Sequence, residues 1–125
     1  MDIPHKPYQL SFEVRPDYLY SRVVADTIDA AAAKQYLGEI AERLKAERCH
    51  RLMITRDIPA MLPAGDLFFT TVEFLKLIGT TKTAFVNPHA PIHEEMKFAI
   101  VVGTNRGANY RVFSTEPEAA AWLLD

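Results

Sequence analysis

The sequence predicts an α/β fold, with a four- to five-stranded, mainly parallel sheet, an N-terminal antiparallel strand and about four helices in a single layered domain. Two strand patterns close together near the N-terminus are typical of an antiparallel hairpin. Beyond them, helical and strand periodicities alternate, which is typical of parallel strands joined by helical crossovers. No repeat or linker interrupts the 125 residues, so residues 1–125 are expected to form one domain.

The hairpin is predicted from residues 8–14 and 18–24, with a proline-containing turn between them. An alanine-rich helix over residues 28–47 follows, because its apolar residues recur at helical spacing. Asp26 or Thr27 is expected to cap the N-terminus of this helix.

The central part of the chain predicts a strand, a loop and a second helix. Residues 50–55 have the composition of a buried strand, and residues 56–66 form a loop with two prolines and a glycine. Asp66 is expected to cap a helix over residues 67–78, which Gly79 ends.

The following segment contains a strand over residues 82–86 and then an ambiguous stretch, residues 92–107. By composition alone, residues 98–102 fit a buried strand. Pro91 at the start and Gly107 at the end favour a helix instead.

The C-terminal part predicts a last strand over residues 109–113 and a last helix. Ser114 or Thr115 is expected to cap that helix, which has Pro117 in its first turn.

Composition excludes several classes of function. A hydrophobic fraction of 49% and a charged fraction of 24% are those of a globular domain, and the net charge of −2 gives no field that attracts nucleic acid. Cys49 is the single cysteine, without an activating histidine motif, so we expect a structural thiol. No secretory signal or integral membrane segment is visible, so a cytoplasmic location is expected.

The C-terminal residues carry a resemblance to a known family. A strand of the type "rLMI", the strand KTAFV and the ending NRGxxxRVFxxxxEAxxWL together resemble the STAS-like family, in its SpoIIAA-like branch related to anti-sigma-factor antagonists. The similarity extends over about residues 12–124. It implies a compact layered domain that acts by contact with other proteins, in a wider fold that includes phosphorylation-switched regulators and lipid-carrying CRAL-TRIO-like domains.

The resemblance also implies where a phosphorylation switch would lie. Regulatory members carry a phospho-accepting serine at the start of the helix after the third strand, where this chain has Leu67 and Phe68 behind the matching Asp66. The hydroxyls of Thr70 and Thr71 are expected to bond back to helical carbonyls. We therefore expect no phosphorylation switch at the usual position.

No constellation for catalysis or metal binding is apparent. His89 and His93 have the spacing of a helical metal site, but Pro91 between them places His89 outside the helix. No nucleophile motif or glycine-rich phosphate loop occurs. The chain is expected to be non-enzymatic, with no cofactor and no metal.

The loop 56–66 is expected at the carboxyl end of a central strand, where open α/β sheets place their ligands. Its apolar side chains either fold back on the core or form a lid for a small apolar or lipid-like ligand or a protein partner. The first two residues of the loop would add polarity at the mouth of such a site. The candidate contact residues here are Arg56, Asp57, Ile58, Met61 and Leu62.

The helix 67–78 is apolar on all sides, which predicts either burial on two sides or contact with a partner chain. We expect a homodimer or a regulatory protein partner, with Phe69, Phe74 and Leu77 as contact residues.

Arg106, between Asn105 and Gly107, has two interpretations. It either interacts with the carbonyl end of the preceding helix, which we favour, or binds an anion near the edge of the sheet.

Overall fold

The computed structural model describes residues 7–125. The prediction that the domain begins at residue 1 and the expectation of no secretory signal concern residues 1–6, which lie outside the described part. Residues 7–125 form five strands and four α-helices. The strands are β1 (Gln9–Val14), β2 (Leu19–Val24), β3 (Arg51–Asp57), β4 (Lys82–Val86) and β5 (Tyr110–Phe113). The helices are α1 (Ala30–Ala46), α2 (Ala64–Ile78), α3 (His93–Thr104) and α4 (Glu116–Leu123), with a short 3₁₀ helix, Ala90–Ile92, before α3.

The sheet has the strand order β1-β2-β3-β4-β5. Strand β1 pairs with β2 in antiparallel orientation, and every other pair is parallel. The prediction of a mainly parallel sheet with an N-terminal antiparallel strand is therefore confirmed. The carboxyl ends of β2 to β5 share one edge of the sheet, and the connections that follow them meet there.

The two faces of the sheet are covered unequally. Helices α1, α2 and α3 pack on one face, which we call the three-helix face, and α4 packs on the opposite face. Side chains alternate accordingly along β3, because successive residues of a strand point to opposite sides. Leu52 and Ile54 belong to the core of the three-helix face, whereas Met53 belongs to the core under α4.

Helix α1 begins later than predicted. Its N-cap is Asp29, whose Oδ1 accepts a hydrogen bond of 2.8 Å from the backbone N–H of Ala32. The prediction of Asp26 or Thr27 as the cap was wrong, because both residues lie before the helix and are exposed. The acceptor that reaches the free N–H groups of the first turn belongs to Asp29.

Strand β3 runs to Asp57 and α2 begins at Ala64, so the loop of residues 56–66 is shorter than predicted. Arg56 and Asp57 pair with β2 in the sheet and lie outside the loop, which spans residues 58–63. Asp66 was predicted as the cap of α2 but lies inside its first turn. The N-cap position is held by Pro63, which makes no capping hydrogen bond through its side chain.

The ambiguous stretch forms helix α3, as the signals at its ends predicted. Gly107 ends the turn after α3 with φ of +92°, a left-handed conformation that glycine adopts without steric cost. Gly103 lets the ring of Tyr110 approach closely, because a Cβ at this position would lie 2.7 Å from Cδ2 of Tyr110. The last turn of α3 is thereby packed tightly against β5.

Candidate functional site

A cavity of about 60 Å³ lies on the three-helix face beneath the loop 58–63. Most of its lining side chains are apolar and come from all three helices, the loop and the sheet. Among them are Leu37 of α1, Met61 of the loop, Phe74 of α2, Met96 of α3 and Phe85 of β4. This position at the carboxyl edge of the sheet is where the sequence predicted a ligand site.

The loop covers this cavity with apolar side chains. Ile58 and Leu62 are buried in the core of the three-helix face, and Met61 packs against that core while half-exposed. Leu62 and Met61 also line the cavity. The two interpretations of the loop are thus compatible, because the same residues anchor the loop and form the roof of the cavity.

Arg56 is buried with 5% of its surface exposed and lines the cavity. Its Nη1 donates a hydrogen bond of 3.0 Å to the carbonyl of Ile58, and its Nη2 donates one of 2.8 Å to the carbonyl of Ala60. The guanidinium therefore holds the loop above the sheet. Burial raises the pKa of the Tyr36 hydroxyl, and the nearby Arg56 charge acts in the opposite direction.

Tyr110 also lines the cavity and was not singled out by the sequence. Its ring packs against Phe85 and Phe74, with centroids 5.2 and 6.4 Å away. Within residues 7–125 its buried hydroxyl finds no hydrogen-bond partner, and burial raises its pKa. Strand periodicity predicts an inward tyrosine here, but an unsatisfied hydroxyl depends on the neighbours that the fold supplies.

Asp57 was predicted beside Arg56 at the mouth of the ligand site, and this prediction was wrong. Neighbouring residues of β3 point to opposite faces, so Asp57 lies on the α4 face. Its carboxylate contacts Nη2 of Arg22 at 2.7 Å and Nε2 of His89 at 2.8 Å. The hydrogen bond from His89 lowers the pKa of Asp57, and Arg22 adds to this effect while burial opposes it.

A second polar contact ties α4 to the sheet on the same face. The carboxylate of Glu116 accepts hydrogen bonds from the hydroxyl of Tyr20 at 2.5 Å and from the hydroxyl of Thr55 at 2.8 Å. Burial raises the pKa of Tyr20, and the bond to Glu116 raises it further. Sequence spacing gives no signal for this cluster, because its members are 35 to 96 positions apart.

The two histidines with helical metal-site spacing do not share a helix. His89 lies before the 3₁₀ helix and contacts Asp57, whereas His93 begins α3 and lies 3.5 Å from the side-chain amide of Asn87. In the described part of the chain, no three side chains of His, Cys, Asp or Glu are grouped as ligands of one metal ion.

The apolar residues of α2 divide between the core and the surface. Phe69 and Leu77 are 69% and 54% exposed, whereas Phe74 is 2% exposed. Phe74 was predicted to contact a partner chain, and its burial corrects that prediction. The neighbouring helix α3 also exposes two apolar side chains, Phe98 and Val101.

The two threonines near the start of α2 form hydrogen bonds within their own helix. The hydroxyl of Thr70 donates to the carbonyl of Asp66 at 2.6 Å, and that of Thr71 donates to the carbonyl of Leu67 at 2.7 Å. Both hydroxyls are thus engaged by their own helix, as predicted.

Arg106 contacts the carbonyl end of α3, the interpretation favoured from the sequence. Its Nη1 donates a hydrogen bond of 3.1 Å to the carbonyl of Val102. Its guanidinium also lies 4.7 Å from the ring centroid of Phe68, a cation–π contact between α2 and the end of α3. Both contacts give Arg106 a structural role.

Cys49 is half-buried, and burial raises the pKa of its thiol, with the charge of Glu47 adding to the effect. A raised pKa lowers the fraction of reactive thiolate at neutral pH. In the part of the chain that the structure describes, no helix is long and apolar enough to cross a bilayer.

No protein-family model and no curated protein sequence matches the chain. Solved structures do match its fold. The anti-sigma factor antagonist SpoIIAA in its unphosphorylated form aligns with a TM-score of 0.54 at 14% identity, over 94% of this chain and 97% of SpoIIAA. The Bacillus cell fate determinant SpoIIAA in its phosphorylated form aligns with a TM-score of 0.55 at 16% identity, over 92% of this chain and 97% of its own.

An uncharacterised protein of the DUF3478 family from Shewanella loihica PV-4, with a SpoIIAA-like fold, aligns with a TM-score of 0.55 at 15% identity. This alignment covers 98% of both chains. The chain thus has the SpoIIAA-like fold, as the resemblance in its sequence implied. At these identities the likeness establishes the fold alone.

Proposed function

We propose that this chain is a non-enzymatic regulatory module that acts in the cytoplasm by binding other protein chains, including a second copy of itself. The observation that carries the proposal is the match to an anti-sigma factor antagonist, SpoIIAA, over 97% of that protein's length. The apolar surface of α2 supports it, because large exposed apolar patches mark interaction sites.

The proposed contact surface is centred on Phe69 and Leu77, the exposed apolar residues of α2. The start of the same helix offers no hydroxyl to a kinase at Leu67 or Phe68. We therefore do not propose regulation by phosphorylation at that position. Binding would depend on concentration and on apolar burial.

Light scattering coupled to size-exclusion chromatography at micromolar concentration tests the homodimer. We expect a dimer for the native chain and a monomer for the double variant Phe69→Lys and Leu77→Lys, because both substitutions place charge in the contact surface. Leu124→Lys is the matched control, because Leu124 is also an exposed apolar residue but lies just beyond α4. A native chain that is monomeric throughout would contradict the dimer.

A photo-crosslinking amino acid at position 69 tests for other partners in cells. We expect a defined crosslinked product that is absent when the same group is placed at position 124. Equal crosslinking at both positions would indicate random contact and count against a protein-binding role for α2.

A second candidate function is the carriage or sensing of a small apolar or lipid-like ligand under the loop 58–63. The cavity favours it, because mostly apolar side chains surround a space that the loop 58–63 covers on one side. Native mass spectrometry of protein taken from cells tests this function. A co-purifying small molecule that is lost when Met61→Trp fills the cavity would support it, and a ligand-free protein would count against it.

A further inference from the structure

The charge of Arg56 is not balanced within the described part of the chain. The side chain is 95% buried, yet its partners are neutral: the carbonyls of Ile58 and Ala60, and the hydroxyl of Tyr36, which the guanidinium also contacts. No carboxylate of residues 7–125 lies within ion-pair distance of its guanidinium. A buried charge without a counter-charge is costly, and arginine has five N–H donors, so these three neutral partners leave donors of the guanidinium unused.

The hydroxyl of Tyr110 gives a second and independent indication. Tyr110 lines the same cavity, and its buried hydroxyl has no partner among the described residues, although buried hydroxyls are normally hydrogen-bonded. The tight contact of its ring with Gly103 and its packing on Phe85 fix the ring in place. The hydroxyl is therefore a preorganised donor without an acceptor.

The other polar groups that line the cavity are the hydroxyls of Tyr36, Thr70 and Thr71; those of the two threonines bond to carbonyls of their own helix, and the rest of the wall is apolar. The volume of about 60 Å³ corresponds to about two water molecules, whereas sites for drug-sized ligands have several hundred Å³. One cation and one hydroxyl without an acceptor, those of Arg56 and Tyr110, match the single charge of a carboxylate, whose two oxygens accept from a guanidinium. A phosphate carries more charge and more acceptor oxygens than these two groups can serve.

We propose that the cavity binds a small organic monocarboxylate, with its apolar body under Met61 and Phe74 and its carboxylate paired with Arg56. Tyr110 donates a hydrogen bond to the polar end of this ligand. This inference rests on the ligand-binding candidate of the proposed function and specifies its chemistry. It does not require the protein contact surface on α2.

Methionine-methyl NMR provides the test, because the methionines report on separate places. Met61 and Met96 line the cavity, whereas Met53 is buried under α4 on the opposite face of the sheet. We expect acetate, whose size matches the cavity, to shift the methyl signals of Met61 and Met96 and to leave that of Met53 unchanged. Acetamide has the same size without the charge, and we expect it to produce at least about tenfold weaker binding, the effect of losing a charged hydrogen bond.

Two variants separate the roles of the polar groups. Tyr110→Phe removes only the unpartnered hydroxyl, so the melting temperature should not fall, while acetate binding should weaken about tenfold. Arg56→Lys keeps the charge but loses the planar fork, so it should also weaken acetate binding. A lower melting temperature of Tyr110→Phe with unchanged binding would assign the hydroxyl a structural role and overturn its part in the proposal.

The outcomes distinguish this inference from the broader ligand function. If acetate and acetamide bind equally and neither variant matters, the cavity does not select for charge and the carboxylate proposal is overturned. If neither probe shifts Met61 or Met96 while propionate and butyrate also fail, the carboxylate inference is wrong. A ligand-free protein in native mass spectrometry would then remove the broader function as well.

Discussion

At the scale of single residues, the contact between Gly103 and Tyr110 sets the distance between α3 and β5. A methyl group at position 103 would lie 2.7 Å from Cδ2 and 3.0 Å from Cε2 of the tyrosine ring. We expect Gly103→Ala to lower the free energy of unfolding by about 1–3 kcal/mol, because overpacking outweighs the gain in helix propensity. Urea denaturation measures this change.

Gly38 in the interior of α1 is the matched control. A Cβ there would meet no heavy atom within 4 Å. Gly38→Ala should therefore raise the free energy of unfolding by about 0.5–1 kcal/mol. Equal effects of the two substitutions would show that the tyrosine ring moves away at little cost.

Asp57 is the residue through which the structure predicts that the stability of the fold depends on pH. Its pKa is lowered by the hydrogen bond from His89 and by Arg22, so its folded pKa lies below its unfolded value. A carboxyl group with a lowered pKa adds stability that is complete above about pH 5 and is lost as the pH falls below about 4. The pair is partly exposed, so the contribution is about 1 kcal/mol or less.

Asp57→Asn should therefore be less stable than the native chain at pH 7, and the difference in the free energy of unfolding should be smaller at pH 3. Denaturation curves at both values measure the difference. If the difference in the free energy of unfolding between the two proteins stays constant with pH, the carboxylate charge does not contribute to stability.

At the scale of secondary-structure elements, the start of α1 is decided by one hydrogen bond. The carboxylate of Asp29 caps the helix through the N–H of Ala32. Asp29→Ala should lower the free energy of unfolding by about 0.5–2 kcal/mol. Asp26→Ala, at an exposed position before the helix, should change it by less than about 0.5 kcal/mol. Chemical denaturation compares the two, and a larger loss for Asp26→Ala would contradict the cap.

Helix α2 shows how packing divides a sequence that is apolar on all sides. Leu67, Phe74 and Ile78 are buried, whereas Phe69 and Leu77 point to solvent. The sequence predicted that some of these residues contact a partner but gave no means of choosing the face. The choice depends on where α1 and α3 lie, and those neighbours are fixed by the sheet.

At the scale of the whole molecule, the sheet separates two cores of different size. The core of the three-helix face contains the cavity, and the smaller core under α4 contains Met53, Ala84 and Leu123. The proposed contact surface and the proposed ligand cavity both belong to α2 and its neighbours. The two proposed functions thus involve one helix.

A homodimer through α2 would make the stability of the native chain depend on its concentration, because association favours the folded state. We expect the melting temperature to rise with protein concentration for the native chain and to stay constant for the Phe69→Lys and Leu77→Lys double variant. Differential scanning calorimetry over a wide concentration range measures both. A concentration-independent melting temperature of the native chain would contradict a dimer of this kind.

The sequence by itself determined the order of the elements, because periodicity and end signals act within a few residues. It placed β4 at the bounds observed, the left-handed glycine at Gly107 and the carbonyl contact of Arg106. It also indicated the position of the cavity, since the carboxyl edge of a parallel sheet follows from the alternation of strands and helices.

Only the tertiary structure decided which side chains of these elements contact each other. The extension of β3 to Asp57 sends Arg56 into the cavity and Asp57 to the opposite face, a difference of one residue that no composition signal records. The unpartnered hydroxyl of Tyr110 likewise arises from contacts between β5, α2 and α3. Local patterns fix the elements, whereas burial and partners depend on residues that are distant in sequence.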